Sequence, residues 1–87
     1  MSKETGWFCI ENRDGEFIKI ASIGSNLGMS SYETTQQVND ALILRKSAAI
    51  TLSNLLEESI IAEWFDIVPV RSLDKGHYKW ELDKNGK

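Results

Sequence analysis

The amino-acid sequence predicts an α+β fold, a small antiparallel sheet with one helix packed on one face. Three patterns predict it. Residues 6–11 (GWFCIE) and 16–21 (EFIKIA) are aromatic and β-branched, with Asn12-Arg13-Asp14-Gly15 between them. Residues 47–62 repeat apolar side chains at helical spacing. Residues 64–72 (WFDIVPVRS) and 77–82 (HYKWEL) read as a C-terminal hairpin across the turn Leu73-Asp74-Lys75-Gly76. The expected order is ββ(β)αββ in a single domain over 1–87, with residues 1–5 and 83–87 as flexible tails.

The first hairpin follows from Asp14-Gly15, since tight hairpin turns need the positive backbone angles that glycine adopts without steric cost. Alternation puts Trp7 and Cys9 on one face and Phe8 and Ile10 on the other. In the second strand Ile18 and Ile20 share a face, opposite Phe17 and Lys19. Residues 22–33 (SIGSNLGMSSYE), with two glycines and four serines, read as a loop and as a second candidate contact surface.

Two readings compete for the middle of the chain. One long helix could run from Val38 to Leu56. Alternatively, a short third strand at 41–46 (ALILRK) precedes a helix that starts at Ser47. Three features favour the split: the turn signal Asn39-Asp40, the compact apolar run ALIL, and Ser47 as an N-cap. The helix then runs to about Ala62. Ala49, Leu52, Leu56 and Ile60 form its apolar stripe, widened by Ala48 and Leu55, while Ser53, Asn54, Glu57 and Glu58 face outward. Pro69 lacks an N–H, which places the 64–72 strand at a sheet edge or at a bulge.

Composition narrows the class. Hydrophobic content of 41% and charged content of 26% are those of a globular domain and exclude disorder. Cys9 is the only cysteine, so no internal disulfide forms, and a reducing, cytoplasmic setting is expected. Residues 1–6 (MSKETG) lack the apolar stretch of a signal peptide. No apolar run approaches the roughly 20 residues of a membrane span. The chain carries 13 acidic and 10 basic residues, a net charge of −3, against the basic balance of a general nucleic-acid binder. No Lys or Arg lies between Lys46 and Arg71, a stretch that holds Glu57, Glu58, Glu63 and Asp66. Basic residues gather at Arg45, Lys46, Arg71, Lys75, Lys79, Lys84 and Lys87.

Catalytic patterns are missing. His77 is the only imidazole and Cys9 the only thiol, too few for a zinc site, and their positions read as surface and strand. Glu57 and Glu58 are adjacent on a helix, about 100° apart, and do not converge as an acid/base pair would. Gly24 and Gly28 are followed by no Gly-Lys-Ser/Thr, so no phosphate loop is read. No catalytic residue, metal ligand or cofactor is assigned, and the chain is read as no enzyme. The candidate partner-binding residues are Glu57, Glu58, Glu63, Trp64 and Asp66.

The segment from 41 to 70 resembles small accessory proteins of phages and prophages. The resemblance rests on the helix opening Lys46-Ser47-Ala48-Ala49 and the string Phe65-Asp66-Ile67-Val68-Pro69-Val70, about a third of the chain. It implies a phage or mobile-element origin, and with it the host cytoplasm. Some proteins of that sort bind and block host enzymes or defence systems. The expectation is therefore a small non-enzymatic protein that engages a host protein, inhibiting a nuclease or defence factor through its acidic surface. A second class is a nucleic-acid-binding regulator using Lys75, Lys79 and Trp80. A third is an assembly protein whose Pro69 strand, or another open edge, pairs into a homodimer.

Overall fold

The computed structural model describes residues 6–22, 31–60, 63–74, 76 and 78–83. One helix packs against a curled antiparallel sheet, an α+β fold. The strands are β1 (Trp7–Asn12), β2 (Phe17–Ser22), β3 (Ser31–Thr35), β4 (Leu44–Arg45), β5 (Phe65–Ser72) and β6 (Trp80–Leu82), with helix α1 at Lys46–Ser59. The strand order is β3-β2-β1-β5-β6, and β4 pairs with the start of β1.

The β1–β2 hairpin closes as the Asp-Gly turn requires. The Gly15 N–H donates to the Asn12 carbonyl at 3.1 Å, and Gly15 adopts φ of 83°. Buried Asn12 organises the turn, its Oδ1 accepting from the Asp14 and Glu16 N–H groups at 3.0 and 2.9 Å. Strand β1 then pairs along its whole length with β5, Trp7 opposite Val70 through Asn12 opposite Phe65.

Both faces of the β1–β5 pair are covered, which gives two apolar clusters. On one face, Ile10, Ile18 and Phe65 pack with Leu52 and Leu56 of α1 and with Ile60 just beyond it. On the other, Cys9, Phe17, Val70 and Trp80 pack with Val38, Ala41 and Ile43 from the segment leading into β4. The alternation read for β1, Trp7 and Cys9 against Phe8 and Ile10, matches this division. Tyr32 on β3 meets Phe65 on β5 edge-on, with ring centroids 5.4 Å apart. Three strand spacings would separate those strands by about 14 Å in a flat sheet. The sheet must therefore curl towards the helix.

Several sequence expectations need correction. Part of the expected 22–33 loop is a strand: β3 turns Tyr32 and Thr34 inward and Ser31 and Glu33 outward. Residues 23–30 of that loop, like residues 1–5 and 84–87, lie outside the described residues. Asp83, expected in a tail, donates its N–H to the Pro69 carbonyl at 2.9 Å. The expected 41–46 strand shrinks to Leu44–Arg45, preceded by a 3-10 turn at Val38–Asp40 on the Asn39-Asp40 signal. The split reading of the middle segment holds, but its strand is the fourth. Arg45, not Ser47, is the N-cap, with extended backbone and no side-chain hydrogen bond to the first turn. Ser53 is buried rather than outward and satisfies its hydroxyl on the Ile50 carbonyl at 3.0 Å. Ala48 and Leu55 are exposed and do not widen the stripe. A bulge at Lys19 sets Ile20 opposite outward-facing Glu33, so Ala21, not Ile20, joins Ile18 over the core.

Pro69 also differs from expectation. Strand β5 is interior to the sheet, between β1 and β6. The Pro69 carbonyl accepts from Asp83, so its backbone polar groups point towards β6 and away from β1. Its missing N–H leaves the β1–β5 ladder intact and removes one donor from the β5–β6 ladder, whose register among the described residues runs over Val70–Ser72. Beyond Pro69, at residues 65–68, β5 is a sheet edge among the described residues.

Candidate functional site

The five candidate residues sit where α1 gives way to β5. Since Pro69 points its backbone groups away from β1, alternation turns those of Phe65 the same way. The Phe65 N–H would be an open edge donor, but Glu57 Oε2 accepts it at 2.8 Å. Glu57 is therefore a structural cap on β5 as well as an exposed carboxylate. Half-buried Glu63 accepts from the Tyr32 hydroxyl at 3.5 Å, and the Tyr32 ring stands on Phe65. Trp64, between these two residues in the chain, is 48% exposed. Glu58 is exposed one residue beyond Glu57 on the helix.

Asp66 is placed differently. Phe65 and Ile67 pack into the helix-side cluster, so Asp66 projects from the opposite face, directly across from Glu11 of β1. The structure thus groups Glu57, Glu63 and Trp64, leaves Glu58 on the helix surface beside them, and sets Asp66 with Glu11. Glu11 was missed from sequence because its neighbour across the sheet depends on strand register. Its acidic side chain on the Trp7/Cys9 face was the one available signal. Opposed like charges on one face are unfavourable.

The basic and aromatic residues arrange themselves otherwise. Arg71 and Glu81, opposite each other on β5 and β6, form an ion pair. The Arg45 guanidinium lies 3.7 Å from the centroid of the Trp7 ring, and Trp7 meets Trp80 edge-on at 5.7 Å. Trp80 is only 8% exposed, and its backbone N–H donates to Asn39 Oδ1 at 2.6 Å. It cannot serve as the stacking platform that a nucleic-acid role assigned to it. Lys79 is exposed, whereas Lys75, His77, Lys84, Lys87, Gly24 and Gly28 lie outside the described residues.

Cys9 has no accessible surface, and burial, reinforced by the Glu11 carboxylate, pushes its thiol up to about 12. At neutral pH it is a packed thiol and no nucleophile. Among the described residues, no three His, Cys, Asp or Glu side chains are grouped to hold a metal ion. No described helix is long and apolar enough to cross a membrane. No family model matches the chain, and no curated protein or solved structure shows significant similarity to it.

Proposed function

We propose that the chain is a non-enzymatic binding protein that engages a partner protein through the acidic surface around Trp64. The observation that carries this reading is Trp64 itself. A large aromatic residue, 48% exposed, sits in the chain between two hydrogen-bonded neighbours, Glu63 on Tyr32 and Phe65 on Glu57. Tryptophans offer large amphipathic contact area and dominate interface energetics. The surrounding charge suits a basic partner, with electrostatic steering speeding association. Within this reading the partner is a host protein, a nuclease or other nucleic-acid-handling factor, met in the host cytoplasm by a phage- or mobile-element-encoded chain. The resemblance in residues 41–70 supports that origin.

The test is capture from bacterial lysate by the tagged protein, with mass spectrometry. The variants are Trp64→Ala and Glu58→Lys, which alter the surface without touching those two hydrogen bonds. Glu57 is unsuitable as a surface probe. Glu57→Ala leaves the Phe65 N–H without its acceptor and costs about 1–2 kcal/mol, measured by urea unfolding, whereas Glu57→Gln retains an acceptor and most of the stability. A dominant partner held by the wild type and lost by both surface variants is expected. A partner retained equally by all three overturns the assignment. Recovery of nucleic acid alone overturns it in favour of the regulator reading.

A further inference from the structure

We propose that the partner enters as an extended basic strand added to the open edge of β5 at residues 65–68. This rests on the protein-binding reading above and names the partner's chemistry and mode. Among the described residues the β5–β6 pairing goes no further than Pro69, which has no donor of its own to give it. Backbone groups of Ile67 share the direction of those of Pro69, so the Ile67 N–H and carbonyl and the Phe65 carbonyl point out of the sheet. No strand pairs there among the described residues. The Phe65 N–H is already taken by Glu57, so the vacancy centres on Ile67. Exposed edges of this kind are templates for strand addition.

Side-chain alternation fixes what the added strand must carry. Its residues beside Phe65 and Ile67 lie on the helix side, next to apolar neighbours. The residue beside Asp66 lies on the opposite face, in line with Glu11 and Asp66. Those two carboxylates oppose each other across β1 and β5, and a lysine or arginine added alongside would offset the repulsion. Glu57, Glu63 and exposed Trp64 flank the same end of the strand. The occupant is accordingly an apolar–basic–apolar segment in extended conformation.

The probe is the end-blocked hexapeptide Val-Lys-Val-Lys-Val-Lys, followed by amide exchange and NMR shifts on the full chain. Binding is expected to slow exchange of the Ile67 amide by about tenfold or more. The glutamate counterpart should leave it unchanged, as should the lysine peptide methylated on its backbone nitrogens. Asp66→Lys, an exposed substitution, should weaken peptide binding by about three- to tenfold at low salt. Peptide binding that leaves Ile67 exchange unaltered overturns the proposal. So does an Ile67 amide protected without peptide, whether protection grows with protein concentration (a second copy) or vanishes on truncation after Asp83 (residues 84–87). If the edge stays empty while lysate capture still depends on Trp64, strand addition falls and the binding function stands. If capture fails as well, both fall.

Discussion

Cys9 sets an alkaline limit that belongs to one side chain. Its thiol is fully buried beside Glu11, which raises its pKa from an ordinary 9.0 to about 12. Above pH 9 the unfolded chain gives up this proton while the folded chain keeps it. The unfolded state then binds fewer protons, so stability falls as pH rises, by up to about 1.4 kcal/mol per pH unit until the folded thiol titrates. Below pH 9 the thiol is neutral in both states and contributes no pH dependence. Cys9→Ala should be less stable than the wild type at neutral pH, because it opens a small cavity. Between pH 9 and 11 the gap should narrow, as measured by guanidinium midpoints at each pH. A pH-independent gap would mean the thiol reaches solvent. The strand position of this thiol was legible from sequence, but its burial is complete where only half was expected.

At the level of elements, what could be read in the sequence was whatever local rules decide. The Asp14-Gly15 hairpin, the helix stripe Ala49–Leu52–Leu56 and the strand over Phe65–Ser72 each follow from turn chemistry or periodicity, whereas Ile60, expected in the helix, is its extended C-cap. The misreadings sit where tertiary contacts overrode those rules. Strand β3 is polar, and of its residues Tyr32 packs on the core, so its serine and glutamate looked like loop. Ser53 looks polar on a helical wheel but closes its hydroxyl on Ile50 and is buried. The Lys19 bulge reverses Ile20, and no single-strand pattern announces an extra residue. These placements predict paired outcomes. Leu56→Ala should cost about 2–5 kcal/mol and Ile18→Ala about the same, since both are fully buried. Leu55→Ala and Ile20→Ala, on exposed neighbours, should cost under about 1 kcal/mol. Urea unfolding of the four variants decides it. Equal costs at Leu55 and Leu56, or at Ile18 and Ile20, would place the helix or the bulge in the wrong rotation.

Across the whole molecule, the two apolar clusters lie back to back on one strand pair, and this governs how the domain comes apart. Cys9 and Ile10 are neighbours in β1 yet belong to opposite clusters, as Val70 and Phe65 do in β5. Neither cluster can lose its sheet face without exposing the other. Small domains of this size bury only about 60–65% of their unfolded surface, leaving little stability for half a structure to keep. Unfolding should therefore be one cooperative transition. Trp7 and Trp80 report the cluster away from the helix, while far-ultraviolet dichroism reports α1 on the other side. In a Trp64→Phe background, which silences the exposed ring, fluorescence and dichroism midpoints in urea should coincide. Leu56→Ala, on the helix side, and Trp80→Leu, on the other, should each move both signals together. If Leu56→Ala shifts only the helical signal, the two faces melt separately. The junction holding Trp64 and the open β5 edge would then be the first part to loosen, because it depends on α1 and β5 staying joined through Glu57.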